Sequence, residues 1–145
     1  MPKLLDVMQM MIRGEVPPPP VGTLIGMRLT SIEPGRAVFE LEAGERHTNP
    51  MGTLHGGVLC DVADAAMGCA YAATLNEGES FTTLELKINF LRPVRIGRLI
   101  AVGQVVTGGR TVGLAECTIT DDQGRLVARA SSTCMTLRGE QAMGR

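Results

Sequence analysis

The chain has no tryptophan, one tyrosine and three phenylalanines. It therefore offers little on which bases stack, and fourteen basic side chains against fifteen acidic ones give it no field to attract a polyanion. Nucleic acid is not an expected partner. Histidine is equally scarce: His47 and His55 have no clustered cysteine or glutamate around them, so no metal site is expected. Neither a G-x-G-x-x-G nor a G-x-x-x-x-G-K-[ST] run is present, and no cofactor is implied. The four cysteines, Cys60, Cys69, Cys117 and Cys134, form no C-x-x-C pair. Buried, reduced thiols are the expectation, not a zinc or disulfide framework. A long apolar run is also missing. Asp6, Gln9 and Arg13 interrupt the N-terminal apolar residues, which predicts a cytoplasmic protein with neither signal peptide nor membrane span.

What is present is a sequence of 145 residues, 44% hydrophobic, enough for one domain with its own core. Leu4, Leu5, Met8, Met11 and Ile12 recur at helical spacing, predicting a short amphipathic helix over 3–13. Pro17 to Pro20 then predict an extended spacer. The expected organisation is an N-terminal helix and spacer (1–20), a main domain (21–138) and a tail (139–145). Strands are expected at 24–32 and 36–43, joined by a turn at Glu33-Pro34-Gly35, the second with Ala37, Phe39, Leu41 and Ala43 on one face. A loop follows, then a helix with an apolar stripe at Val58, Val62, Ala65, Cys69 and Ala73. Its many small residues would let a sheet approach closely. Residues 82–90 return to period two, with Leu84, Leu86, Ile88 and Phe90 on one face and Thr83, Glu85, Lys87 and Asn89 on the other. Three more strands are expected near 99–106, 111–120 and 126–137, with turns at Gly108-Gly109 and Asp121-Asp122-Gln123-Gly124. The fold class is α+β, a single antiparallel sheet wrapped around one long helix.

The chemistry concentrates where the loop meets that helix. From His55 to Asn76 the only charged side chains are Asp61 and Asp64, in a segment apolar enough to be buried on most sides. A helix beginning near Gly57 leaves its first N–H groups unpaired and favours negative charge there. With two glycines removing obstruction, such an end can hold a phosphate or act as an oxyanion hole. Asp64 lies roughly 10 Å further along the helix, too far for its own His55. Two copies pairing these helices antiparallel would bring each Asp64 to the partner's helix start.

Asn49, His55, Gly56, Gly57 and Asp64, with the later Phe90-Leu-Arg92-Pro93, resemble the phenylacetate-pathway type of hotdog-fold acyl-CoA thioesterase over residues 21–137. The resemblance implies a hotdog fold of about six strands, hydrolysis of acyl-CoA to a carboxylic acid and CoA, homodimers sharing two active sites, and a dimer of dimers. It implies that the Gly57 N–H polarises the thioester carbonyl, that His55 and Asn49 position substrate and water, and that Asp64 of the opposite subunit is general base or nucleophile. Gly56 and Thr83 would line the substrate site. A solvated aspartate is a feeble base at neutral pH, so burial is expected to raise the basicity of Asp64. Asp61 is expected on a polar rim and His47 on the surface. Arg92, Arg95, Arg98 and Arg110 cluster as solvated charge or as clamps for CoA phosphates. An acyl-thioester hydratase or dehydratase and a non-catalytic acyl-CoA binding module are the competing functions. The acyl group stays open, set by the packing of Met51, Leu54, Met67, Tyr71 and the N-terminal methionines.

Overall fold

The computed structural model describes residues 1–143. In chain order it runs α1 (Leu4–Ile12), α2 (Pro20–Ile25), β1 (Met27–Glu33), β2 (Arg36–Ala43), α3 (Gly56–Ala72), β3 (Ser80–Phe90), β4 (Gly97–Gly108), β5 (Val112–Asp121) and β6 (Leu126–Leu137). The six strands form one sheet in the order β1-β2-β4-β5-β6-β3. Every neighbouring pair is antiparallel. Helix α3 lies across the sheet and packs on each of its strands. This is the α+β hotdog arrangement. No helix among the described residues is long and apolar enough to cross a membrane.

Close seating of α3 is what the small residues achieve. Ala63, Ala66, Met67 and Ala70 are all 0% exposed, at helical i, i+3, i+4, i+7 spacing. Opposite them, a Cβ on Gly103 of β4 would fall 2.3 Å from the backbone carbonyl of Ala66. The buried face is thus turned from the expected stripe, since Val58, Ala65 and Cys69 are only partly buried. A helix apolar on most sides carries too weak a periodicity to fix its rotation, and the closest approach selects the alanines instead. The hairpin is tied to the same helix, for Gly35, at φ +82, donates its N–H to the Ala70 carbonyl at 3.1 Å.

Four local features differ from expectation. Pro20 opens α2 in place of ending a spacer, because proline at the first helical position needs no N–H partner. Gly26, at φ 85, ends that helix, so β1 starts at Met27 and Leu24 is 74% exposed. In β3, pairing with β6 shifts register between Thr83 and Glu85, a bulge that leaves Leu84 unpaired and 51% exposed. Finally, Cys60 and Cys69 are only partly buried, although all four thiols are free. Burial pushes the Cys117 thiol up to about 12.

Helix α1 packs on β1, burying Met8 with Leu4 and Leu5 against the core. At the sheet's other border, β3 pairs only with β6, and its outer edge has no strand beside it among the described residues. The α3–β4 contact predicts that Gly103→Ala costs about 2 kcal/mol or more by urea denaturation, because the obstruction is backbone. Gly44→Ala, where a Cβ meets nothing within 4 Å, should stay within about 0.5 kcal/mol of the parent.

Candidate active site

The loop leading into α3 is built by backbone-directed side chains. The Asn49 side-chain oxygen accepts the N–H groups of Met51 (3.0 Å) and Thr53 (3.1 Å), and its amide donates to Thr53 Oγ1 at 2.8 Å. Asn49 therefore shapes the loop while facing the groove beside it. His47 is not on the surface. It is 6% exposed, its Nδ1 accepts the Gly44 N–H at 3.1 Å, and its Nε2 donates to the Ile25 carbonyl at 2.6 Å. It pins the end of α2 to this loop, and its own carbonyl takes the His55 N–H at 2.9 Å. A buried imidazole needs partners for both nitrogens, and these two carbonyl and amide groups supply them.

His55 is the N-cap of α3. Its Nδ1 accepts the Gly57 N–H at 2.9 Å, which fixes the neutral tautomer with the proton on Nε2. The Val58 N–H turns back to the His55 carbonyl at 3.0 Å. The Gly56 N–H, first of the helix, has no protein acceptor among the described residues. The donors at this helix start thus differ: Gly56 presents a free N–H, whereas Gly57 has His55 as its partner. Above Gly56 lies the ring of Phe90, 2.8 Å from where a Cβ would be.

Asp64 is exposed in the single chain, as is Asp61. The expected burial of Asp64 is not provided by its own fold. Its Oδ1 accepts a hydrogen bond from Thr83 Oγ1 at 2.9 Å, leaving Oδ2 open. The bulge explains this contact. It restarts the alternation after Thr83, so that Phe81 and Thr83, as well as Leu86 and Ile88, face α3. Thr83 does not share a face with Glu85 and Lys87, as simple period two predicts. Asp61 enters no ion pair among the described residues.

A groove of about 390 Å³ runs from Asn49 and Gly56 along Phe90, Leu91 and Arg92 to Val94. The segment after β3 forms one wall, held by the Leu54 N–H on the Val94 carbonyl at 2.7 Å. Phe90 and its neighbours were visible only as a motif; their role as a wall depends on β3 ending beside the helix start. The arginines separate. Arg92, Arg95 and Arg98 line an adjoining cleft of about 280 Å³ with Arg125, Asp121 and Asp122. Arg98 pairs with Glu40, and Arg125 with Asp121 at 2.7 Å. Arg110 lies at the opposite end of α3, beside Tyr71, Glu79 and Arg138.

The hotdog scaffold thus carries an open helix start with a capping histidine, and a hydroxyl-oriented carboxylate two turns along. Residues 51–128 match the thioesterase superfamily model. The chain belongs to that superfamily. It is 31% identical to the 1,4-dihydroxy-2-naphthoyl-CoA hydrolase of Listeria monocytogenes over 75% of this chain and 89% of that one. To acyl-coenzyme A thioesterase 13 of Mus musculus it is 29% identical, covering 72% and 76%. The fold superposes on the E. coli PaaI protein of the phenylacetic acid degradation operon with a TM-score of 0.82, 24% identity, and 94% and 97% coverage.

The cap makes a stability prediction separate from chemistry. His55→Ala should lower stability by about 1 kcal/mol in chemical denaturation, because the Gly57 N–H loses its acceptor. His55→Asn, which restores a capping oxygen, should recover most of that loss.

Proposed function

We propose that this protein hydrolyses an acyl-CoA thioester to the carboxylic acid and coenzyme A at a site shared by two subunits of a homodimer. The observation that carries this reading is the pair at opposite ends of one helix segment: the free Gly56 N–H at the start of α3, and Asp64 held by Thr83 two turns further on. The separation along α3, about 12 Å from Gly56 to Asp64 at 1.5 Å per residue, is too long for both to act on one carbonyl within one chain. A partner helix running antiparallel supplies the missing group.

The step is then as follows. The Gly56 N–H, joined by the Gly57 N–H when His55 turns away, receives the carbonyl oxygen as it gains negative charge. His55 Nε2–H and Asn49 orient the thioester and water. The partner's Asp64, through its open oxygen, takes a proton from the attacking water, or attacks the carbonyl carbon itself. The carbon–sulfur bond then breaks. When Asp64 acts as base, the departing CoA thiolate takes back the proton that Asp64 holds. When Asp64 acts as nucleophile, the thiolate leaves an acyl-aspartyl anhydride that water hydrolyses, its hydroxyl going to the acyl carbon and its proton to the thiolate. Desolvation that strengthens a carboxylate as base comes from the partner and the substrate closing over Asp64.

Two features support dimerisation. The outer edge of β3 is an eleven-residue row of backbone groups with no strand beside it among the described residues, a surface that proteins cover or pair. Around it and the groove, Leu84, Phe90, Leu91, Met51 and Ile96 are each more than 50% exposed. An apolar surface of that kind supports a subunit interface there. A dimer of dimers is the further assembly proposed, and native mass measures it.

Thiol release from acyl-CoA substrates tests the reaction. Asp64→Asn should lower kcat by ~10²–10⁴-fold while leaving substrate binding within twofold. Thr83→Val, which keeps the shape but removes the donor, should lower kcat/KM by about tenfold, the value of one hydrogen bond to a charged group. Turnover at the parent rate in Asp64→Asn contradicts the assignment. Tight binding of acyl-CoA with no thiol release by the parent would indicate a binding module instead, and hydration of an enoyl-CoA would indicate a hydratase.

A further inference from the structure

Beside Ala65 and Cys69 of α3 lies a second space. It measures about 130 Å³ and lies between α1, the proline segment and the sheet. Its walls include Met8, Met11, Val21, Phe39, Ala65 and Cys69, and are apolar almost throughout. Ala65 follows Asp64 directly, and Cys69 lies one turn beyond. Burial, and after it the negative charge of Asp64, push the Cys69 thiol up to about 12. The groove at the helix start is mixed in character, with Asn49, Thr53 and Arg92 beside Leu54, Phe90 and Leu91.

We propose that this cavity is the subsite for the acyl tail, holding a compact apolar group of about one six-membered ring or six carbons, with α1 as the wall that limits its length. The inference rests on the hydrolase reading above, since it places the scissile carbonyl beside Asp64. The size follows from scale: apolar cavities of roughly 150 Å³ stay dry and accept a benzene molecule. Methionines at two positions of the wall adapt their shape to either a ring or a short chain. The outer wall of the cavity comes from α1 and the proline segment, which precede the residues matched by the family model. Met67 and Tyr71, expected to shape the pocket, do not line it. Met67 is fully buried under α3, and Tyr71 bonds Thr136 Oγ1 at 2.7 Å near the other end of the helix.

The test compares kcat/KM on acetyl-, hexanoyl- and dodecanoyl-CoA, together with calorimetric binding of the hydrolysis-resistant thioether S-hexyl-CoA. The parent should favour hexanoyl over both others. Ala65→Leu, which fills the cavity, should lower the hexanoyl-to-acetyl ratio at least tenfold and weaken S-hexyl-CoA binding by a similar factor. Met11→Ala, a truncation on a partly buried helix face, should raise the dodecanoyl-to-hexanoyl ratio at least fivefold; folding of both variants is checked by circular dichroism. Hydrolysis by the parent, with chain-length ratios and S-hexyl-CoA affinity unchanged in both folded variants, overturns the subsite and leaves the hydrolase reading standing. No hydrolysis by the parent, with S-hexyl-CoA binding still weakened by Ala65→Leu, overturns the hydrolase reading and keeps the cavity as an apolar binding site.

Discussion

The backbone of α3 at Ala66 rests directly on β4 at Gly103, with no room for even one methyl group between them. Because that contact is backbone on backbone, the helix cannot rock on a cushion of flexible side chains, and interiors packed this closely transmit position faithfully. Ala63, Ala66 and Ala70 on one side and Gly103 on the other are the sequence's way of reaching it. The tie from Gly35 to the Ala70 carbonyl holds the same helix near its other end. Everything of chemical interest is then placed relative to a rigid rod.

Two ends of the rod matter. At its start, His47 and Asn49 fold the incoming loop, and His55 caps the helix with a ring nitrogen where a small oxygen-bearing side chain is the common choice. The substitution of imidazole for hydroxyl or carboxylate holds the neutral tautomer and leaves an N–H facing outward. Two turns later, Asp64 emerges on the exposed side, oriented by Thr83 but not covered. In the proposed function this carboxylate, fixed yet open beside a strand edge unpaired among the described residues, is half of a site. The proposed dimer completes both features with one symmetry operation, since an isologous interface sets each helix start against the other copy's carboxylate.

The long helix and most of the sheet were legible because their signals are repeated over many residues: Ala37, Phe39, Leu41 and Ala43 alternate, and all four are 7% exposed or less. What stayed hidden was set by single events. One extra residue at Leu84 reverses the alternation of β3 and alone brings Thr83 to Asp64. Pro20 belongs equally well to an extended spacer or to the first turn of a helix, and only the left-handed Gly26 decides. His47 looks like surface beside Arg46, because its two partners, at Gly44 and Ile25, are fixed by the turn and by a distant segment. The candidate site residues could be named from their order, whereas the free N–H of Gly56 and the cap on Gly57 required the helix start itself.

The central claim is that one chain cannot form the site alone, and mixing two inactive variants tests it most directly. Asp64→Asn and His55→Ala are unfolded together in equal amounts, refolded, and assayed for acyl-CoA thiol release. If the site is shared, half the dimers are mixed and each carries one intact site, so activity should return to about a quarter of the parent value. Activity no higher than that of the two variants refolded separately, in a sample shown by native mass to contain mixed dimers, would contradict the account.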